Sequence, residues 1–284
     1  MRFIERSGLT VLAVALTLFS LPSVASADDG VDLDPAAGVG ERDFNIQLAA
    51  GMRGGFSGVA GHGFENGEFV TDENGTRIPS GGQWGYPEYY GHFGTGGTGG
   101  LSLEVRLNNI IGLETGLFYS RDNASGYVDK NHASTGTTIA RIHSDQRTTA
   151  YHIPLMVKLN MPSDFVRPFL AVGVQFVAQV DSELEYRQEN VNGQYGNANA
   201  MDELNDRNQI EPSTYPLLAG AAGIEVVVGP VRIPVELRLG YNLGYDQAMQ
   251  QRARGEDGQI IYDGVYLGHF GIFMGALYEF DLLQ

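Results

Sequence analysis

Cysteine is absent from the 284 residues, which excludes a disulfide framework, thiol catalysis and a thiolate metal site. Lysine is almost absent, represented by Lys130 and Lys158 alone. Lys and Arg total 18 against 34 Asp and Glu, a formal net charge of -16. Nucleic acid is therefore not expected as a partner, because binding phosphates needs a positive footprint. Charge is also too sparse for a disordered chain, at 18% beside 43% hydrophobic residues. Past the first segment no stretch approaches the roughly 18 continuous apolar residues of a membrane helix. What the chain does have is glycine, 39 residues of it, about twice the ordinary share.

The first segment reads as an export signal. Arg2 and Arg6 precede an apolar core from Leu9 to Leu21, followed by Pro22 and then Ala25-Ser26-Ala27. Small residues at these last positions suit cleavage after Ala27. The core is shorter than the roughly 20 residues needed to span a bilayer as an anchor. Cleavage would leave 257 residues with a charge of -17, beginning with an acidic tail over 28–43. An exported chain without cysteine fits the bacterial envelope better than a small eukaryotic secreted domain.

From residue 44 onward, apolar and polar side chains alternate in eight stretches: 44–54, 99–108, 110–121, 147–160, 167–180, 214–228, 231–245 and 266–280. Period two is the mark of a strand with unlike faces. Leu101, Leu103, Val105 and Leu107 oppose Ser102, Glu104 and Arg106; Val235, Leu237 and Leu239 oppose Glu236 and Arg238. Each stretch reaches the 9–11 residues with which a tilted strand crosses a bilayer. The connections alternate in length: long over 55–98, 122–146, 181–213 and 246–265, short at Asn108-Asn109, Met161 to Val166 and Gly229-Pro230. These observations predict an all-β fold over 44–284, an eight-stranded antiparallel up-and-down transmembrane β-barrel with short periplasmic turns and long extracellular loops.

A soluble barrel would alternate too, with its faces reversed. The polar face mixes small residues, such as Gly112, Gly116, Ala219, Gly223, Gly271 and Gly275, with charges of both signs. An exterior in water has no need of small residues. The narrow lumen of eight strands does, because long side chains must find space beside short ones. Charge placement agrees: the four long connections hold 20 acidic and 7 basic residues, the tail 6 and 1, and the strands with their short turns 7 and 8.

The charges Arg53, Glu104, Arg106, Glu114, Lys158, Glu225, Glu236, Arg238 and Glu279 are thus expected inside, forming an ionic network. Each must be paired or hydrated there, so the network could be a structural plug or the lining of a narrow conducting path. Phe44, Tyr119, Tyr151, Tyr215, Tyr241, Tyr245, Tyr278 and Phe280 lie near strand ends, where a membrane-interface aromatic belt belongs.

No catalytic, cofactor-binding or metal site is expected. His132-Ala133-Ser134 resembles the His-x-Ser pair of the lipid A deacylases, but in that family the pair lies on a lipid-facing strand with an acidic third member. Here it falls in a polar stretch without alternation. His62, His92, His132, His143, His152 and His269 lack the spacing of a zinc site. Asp72-Glu73-Asn74-Gly75 and Glu256-Asp257-Gly258 read as turns, without the ligand pattern of an EF-hand.

Tyr151-His152-Ile153-Pro154-Leu155 with Lys158, Arg167-Pro168-Phe169 running to Gly173, Ala221-Ala222-Gly223-Ile224-Glu225 and Glu236-Leu237-Arg238 resemble the PorT-like outer-membrane β-barrel family, often labelled porin family protein. The likeness covers about 150–240 well. It implies a bacterial outer-membrane location, insertion by the barrel assembly machinery, and contact with outer-membrane lipid and lipopolysaccharide. The family offers no common catalytic residue or ligand. Such barrels often end on an aromatic residue, whereas Asp281-Leu282-Leu283-Gln284 follow Phe280 here, and no peptidoglycan-binding domain is expected beyond them. The functional expectation is a non-enzymatic envelope protein with a plugged lumen, serving envelope integrity or surface interaction through its acidic loops. The alternative is a narrow OmpW-like channel for small solutes.

Overall fold

The structure, a computed structural model, describes residues 45–61, 92–131, 138–163, 165–190, 208–245, 253–254 and 260–283. The expected leader and acidic tail, Phe44, the His132-Ala133-Ser134 triplet and both turn-like acidic sequences lie outside these residues. The strands in chain order are β1 (Ile46–Ala60), β2 (Phe93–Leu107), β3 (Ile111–Asn131), β4 (Thr138–Asn160), β5 (Val166–Asn190), β6 (Asn208–Glu211), β7 (Thr214–Val228), β8 (Val231–Tyr241), β9 (Ala253–Arg254), β10 (Ile260–Asp263) and β11 (Gly268–Leu283). Among the described residues no helix is long and apolar enough to cross a membrane.

Eight of these strands close a barrel in the order β1-β11-β8-β7-β5-β4-β3-β2, each antiparallel to its neighbours. Closure pairs the backbone of both outermost strands and leaves no free edge, the condition for a sheet in hydrocarbon. The turns at one end are tight. Asn108 and Asn109 both adopt positive φ, 49° and 59°, the left-handed pair that matches the twist of a hairpin. Gly229, at φ 57°, links the directly paired Val228 and Val231.

The sidedness follows the sequence pattern. Leu103, Leu113, Ile153, Val172, Leu237 and Met274 face outward, while Glu104, Arg106, Glu114, Lys158, Glu225 and Arg232 are fully enclosed. The small residues have the role their pattern implied. A Cβ on Gly112 would lie 2.8 Å from the Glu104 carboxylate, and one on Gly275 2.5 Å from the Arg53 stem. Glycine at both positions is what leaves room for those two charged side chains.

The strand limits correct the sequence reading. β3, β4 and β5 run to 21, 23 and 25 residues, so much of the expected loops 122–146 and 181–213 is ladder. β1 and β2 likewise extend to Ala60 and back to Phe93, narrowing the first long connection. Beyond the apolar band both faces carry Ser, Thr, Asp, Glu and Arg, so backbone pairing continues where contrast between the faces does not. A bulge between Thr149 and Ala150 marks the passage from one regime to the other. The short strands β6, β10 and β9 form a separate three-stranded sheet within what were expected to be loops.

Prolines interrupt the wall locally. The β3–β4 pairing skips the residues opposite Ile153 and Pro154, and the β8–β11 pairing skips those opposite Ile233 and Pro234. Proline has no N–H to offer a ladder.

Candidate functional site

Every strand of the barrel sends its inward residues into one narrow interior, and the charges there form two closed circuits. In the first, nearer the short turns, Arg106 contacts Glu104 at 2.5 Å and Glu225 at 2.9 Å. Lys158 contacts the same two carboxylates, Glu104 at 3.0 Å and Glu225 as well. In the second, Arg53 lies 3.0 Å from Glu114 and 3.1 Å from Glu236, while Arg238 lies 2.7 Å and 2.6 Å from the same pair. Each circuit alternates two cations with two anions, so every ion touches two of opposite sign. Arg53 and Glu104, 4.0 Å apart, join the circuits.

The pairing spans the barrel. β2 and β7 stand four places apart in the ring of eight, and so do β3 and β8. Arg106 to Glu225 and Arg238 to Glu114 are therefore struts across the full width. Aromatic faces complete the packing: Lys158 Nζ sits 4.0 Å over the Phe169 ring, and the Arg238 guanidinium 5.3 Å over Phe273.

All nine expected charges face inward, and eight of them build the two circuits. Glu279 stands apart, paired with Arg232, a residue the expected set omitted. Arg232 is fully buried, contacts Glu225 at 3.9 Å and donates to Gln47 at 2.8 Å. With it, five cations meet five anions. A signal was present in the sequence: the expected set held four cations and five anions, and Arg232 shares the parity of Glu236 and Arg238 on one strand.

Above the circuits the interior changes character to hydroxyl, amide and imidazole groups gathered around one carboxylate, that of Asp122, none of which stood in the expected set. Ser57 and Ser120 donate to the two oxygens of the buried Asp122 carboxylate, at 2.5 and 2.7 Å. Ser120 Oγ also lies 2.7 Å from His152 Nε2, and Gln175 Nε2 donates to His152 Nδ1 at 3.0 Å. Since Nδ1 accepts, Nε2 carries the proton and donates to Ser120. This direction is the reverse of a nucleophile and its base: His152 gives Ser120 a proton contact, and the carboxylate sits on the serine rather than behind the imidazole. A small cavity of about 30 Å³, room for more than one water molecule, lies beside His152, Gln175, Arg238 and His269.

The outer mouth is filled by the chain entering β11. Gln179 donates to the Gly264 carbonyl, Asn242 Nδ2 donates to the Tyr266 carbonyl at 3.2 Å, and the Tyr266 hydroxyl meets Thr148 Oγ1 at 2.8 Å. Val177, Tyr215, Leu217, Tyr245 and Val265 form an apolar cluster below this cap. Tyr215 and Tyr245 thus correct the expected belt: both are buried in the interior, with the Tyr215 hydroxyl 2.9 Å from His269 Nε2. Tyr215 shares the parity of the inward Leu217, not of the outward Leu218. Tyr119, Tyr151, Tyr241, Tyr278 and Phe280 do face outward, the first two as an edge-to-face pair with ring centres 5.6 Å apart. Among the described residues no group of three or more His, Asp or Glu is placed to hold a metal ion.

Comparison with known proteins bears on this arrangement. A family profile described as outer membrane protein beta-barrel domain matches residues 36–249. Among solved structures, the outer membrane protein OprG from Pseudomonas aeruginosa is 12% identical, covering 84% of this chain and 97% of its own, with a TM-score of 0.38. Neisserial surface protein A is 11% identical over 84% of this chain and 97% of its own, with a TM-score of 0.33. The attachment invasion locus protein Ail of Yersinia pestis, solved with the heparin analogue sucrose octasulfate, is 10% identical over 84% and 99%, with a TM-score of 0.27. No curated protein matches the chain.

Proposed function

The chain belongs to the outer membrane protein beta-barrel domain family, and from that premise we propose that it is a sealed, non-enzymatic scaffold of the bacterial outer membrane. Its rigid wall supports envelope integrity and presents acidic loops for surface interaction. The resemblance of its strands to the PorT-like barrels supports the same reading, a barrel inserted by the assembly machinery and held among outer-membrane lipid and lipopolysaccharide.

The observation that carries the reading is the pair of struts across the full width of the interior, Arg106 to Glu225 and Arg238 to Glu114. An aqueous pore lined by charges keeps opposite walls apart and hydrates each ion. Here Glu225 and Glu114 each take a contact from a cation on the strand directly across the barrel, so the charges of opposite walls meet one another across the lumen. Removing one partner of such a set leaves a buried uncompensated charge, so the circuits hold each other closed.

Liposome swelling tests this reading against the narrow OmpW-like channel. Vesicles carrying the full chain are expected to swell in isosmotic arabinose, glycine or urea no faster than protein-free vesicles. Swelling that rises with protein content and falls with solute size would overturn the sealed scaffold in favour of the channel.

A further inference from the structure

The outward face of β3 and β4 changes chemistry within one step of the ladder. From Ile111 to Tyr119 the outward side chains are mostly apolar, over about the nine residues with which a tilted strand crosses the hydrocarbon. Tyr119 and Tyr151 face each other at the upper limit of this band. The next outward pair is Arg121 with Thr149, and the one after is Asn123 with Arg147. Arg121 and Arg147 are therefore diagonal neighbours, with Cα atoms about 7–8 Å apart. Both are exposed.

These two guanidinium groups differ from the neighbouring Arg187 and Arg141. Arg187 is held by Asp145, and Arg141 lies 4.4 Å over the Tyr127 ring. Arg121 and Arg147 make no side-chain hydrogen bond, ion pair or ring contact among the described residues. Glu183 stands opposite Arg147 on β5 and Asp181 opposite Thr149, yet neither forms an ion pair with the arginines. On the other side, towards β2 and β1, the wall is bare. Gly97 pairs with Arg121, Gly99 with Tyr119, and Gly54 with Gly99. A Cβ on Gly97 would meet nothing within 4 Å. The result is a shallow bay two strands wide below a guanidinium, bounded by Tyr119 and the exposed Phe56.

We infer that Arg121 and Arg147 bind the headgroup phosphate of an outer-leaflet lipid, one of whose acyl chains lies in the bay of Gly54, Gly97 and Gly99. The height selects the occupant: the cations stand where the apolar band ends, which is where lipid phosphates lie, and long basic side chains reach to that level. The charge selects it too, since a cation pair with no partner among the described residues, on a strongly acidic chain, complements an anion. The site is on the outer wall, so it stands whether or not the lumen conducts.

The full chain in detergent micelles is titrated with a diphosphorylated lipid A and with the same glycolipid stripped of phosphate, and bound lipid is counted by native mass spectrometry. The phosphorylated form is expected to bind about tenfold more tightly, and R121Q/R147Q to lose most of that preference. R121K/R147K is expected to restore it, and R187Q to leave it unchanged. G97L, whose Cβ has open space and whose side chain extends into the bay, is expected to weaken both glycolipids. Folding of each variant is checked by heat-modifiable gel migration. Equal binding of the two glycolipids, an undiminished preference in R121Q/R147Q, or displacement by equimolar inorganic phosphate would overturn the site.

Discussion

The interior has two storeys built on opposite principles. Near the short turns, full charges meet in closed alternating circuits, and the packing relies on Coulomb complementarity with glycines set beside long side chains. Near the outer mouth, hydroxyls, amides and imidazoles pass hydrogen bonds from Ser57 through Asp122 and Ser120 to His152 and Gln175. Charged circuits fail abruptly, because one deletion strands the remaining ions. The network around Asp122 fails more gradually, because its other members are uncharged and each loses one modest bond. The difference sets the charged circuits at the level of the short turns and the hydrogen-bonded network towards the outer mouth.

Breaking the lower storey is expected to have the largest effect. Glu225→Leu leaves Arg106 and Lys158 sharing Glu104 alone and should cost about 3–5 kcal/mol, read as a lower urea midpoint for loss of the heat-modifiable form. Replacing the whole first circuit, E104L/R106M/K158M/E225L, should cost less than Glu225→Leu alone, since no ion is stranded. A fourfold variant less stable than the single one would end the idea of a closed circuit.

The upper storey should respond less. Ser120→Ala removes a partner from both Asp122 and His152 and should cost about 1–3 kcal/mol in the same titration. Tyr215→Phe gives up the contact with His269 and the long one from the Tyr266 N–H, and should cost about 1–2 kcal/mol. If Ser120→Ala proved costlier than Glu225→Leu, the division between the storeys would be wrong. Smallest of all is R187Q, which removes the exposed ion pair with Asp145 beyond the membrane band and should leave the midpoint unmoved at any salt concentration.

The lower storey was legible because each of its charges sits on the face opposite an apolar stripe. Period two then gives its direction, and a narrow lumen forces its partners. Arg232 escaped although it lies on the same strand and parity as Glu236 and Arg238, and although its absence left Glu279 without a cation. Nearness to a strand end alone puts Tyr215 and Tyr245 in the belt, whereas parity with Leu217 turns Tyr215 inward. The upper storey was not legible, because Ser, Thr, Gln and His look alike on a surface and in a hydrogen-bonded interior. For the same reason the outer halves of β3, β4 and β5 read as loop: once both faces are polar, hydropathy carries no period for a ladder to show.

Single-channel recording in planar bilayers probes the closure of the lumen most directly, with the native chain beside R106A/R238A, in which both diametric struts are cut. Circuits that seal the interior predict a flat trace from the native chain and discrete unitary steps from the double variant. Reproducible unitary currents from the native chain, unchanged in size by cutting the struts, would contradict that seal.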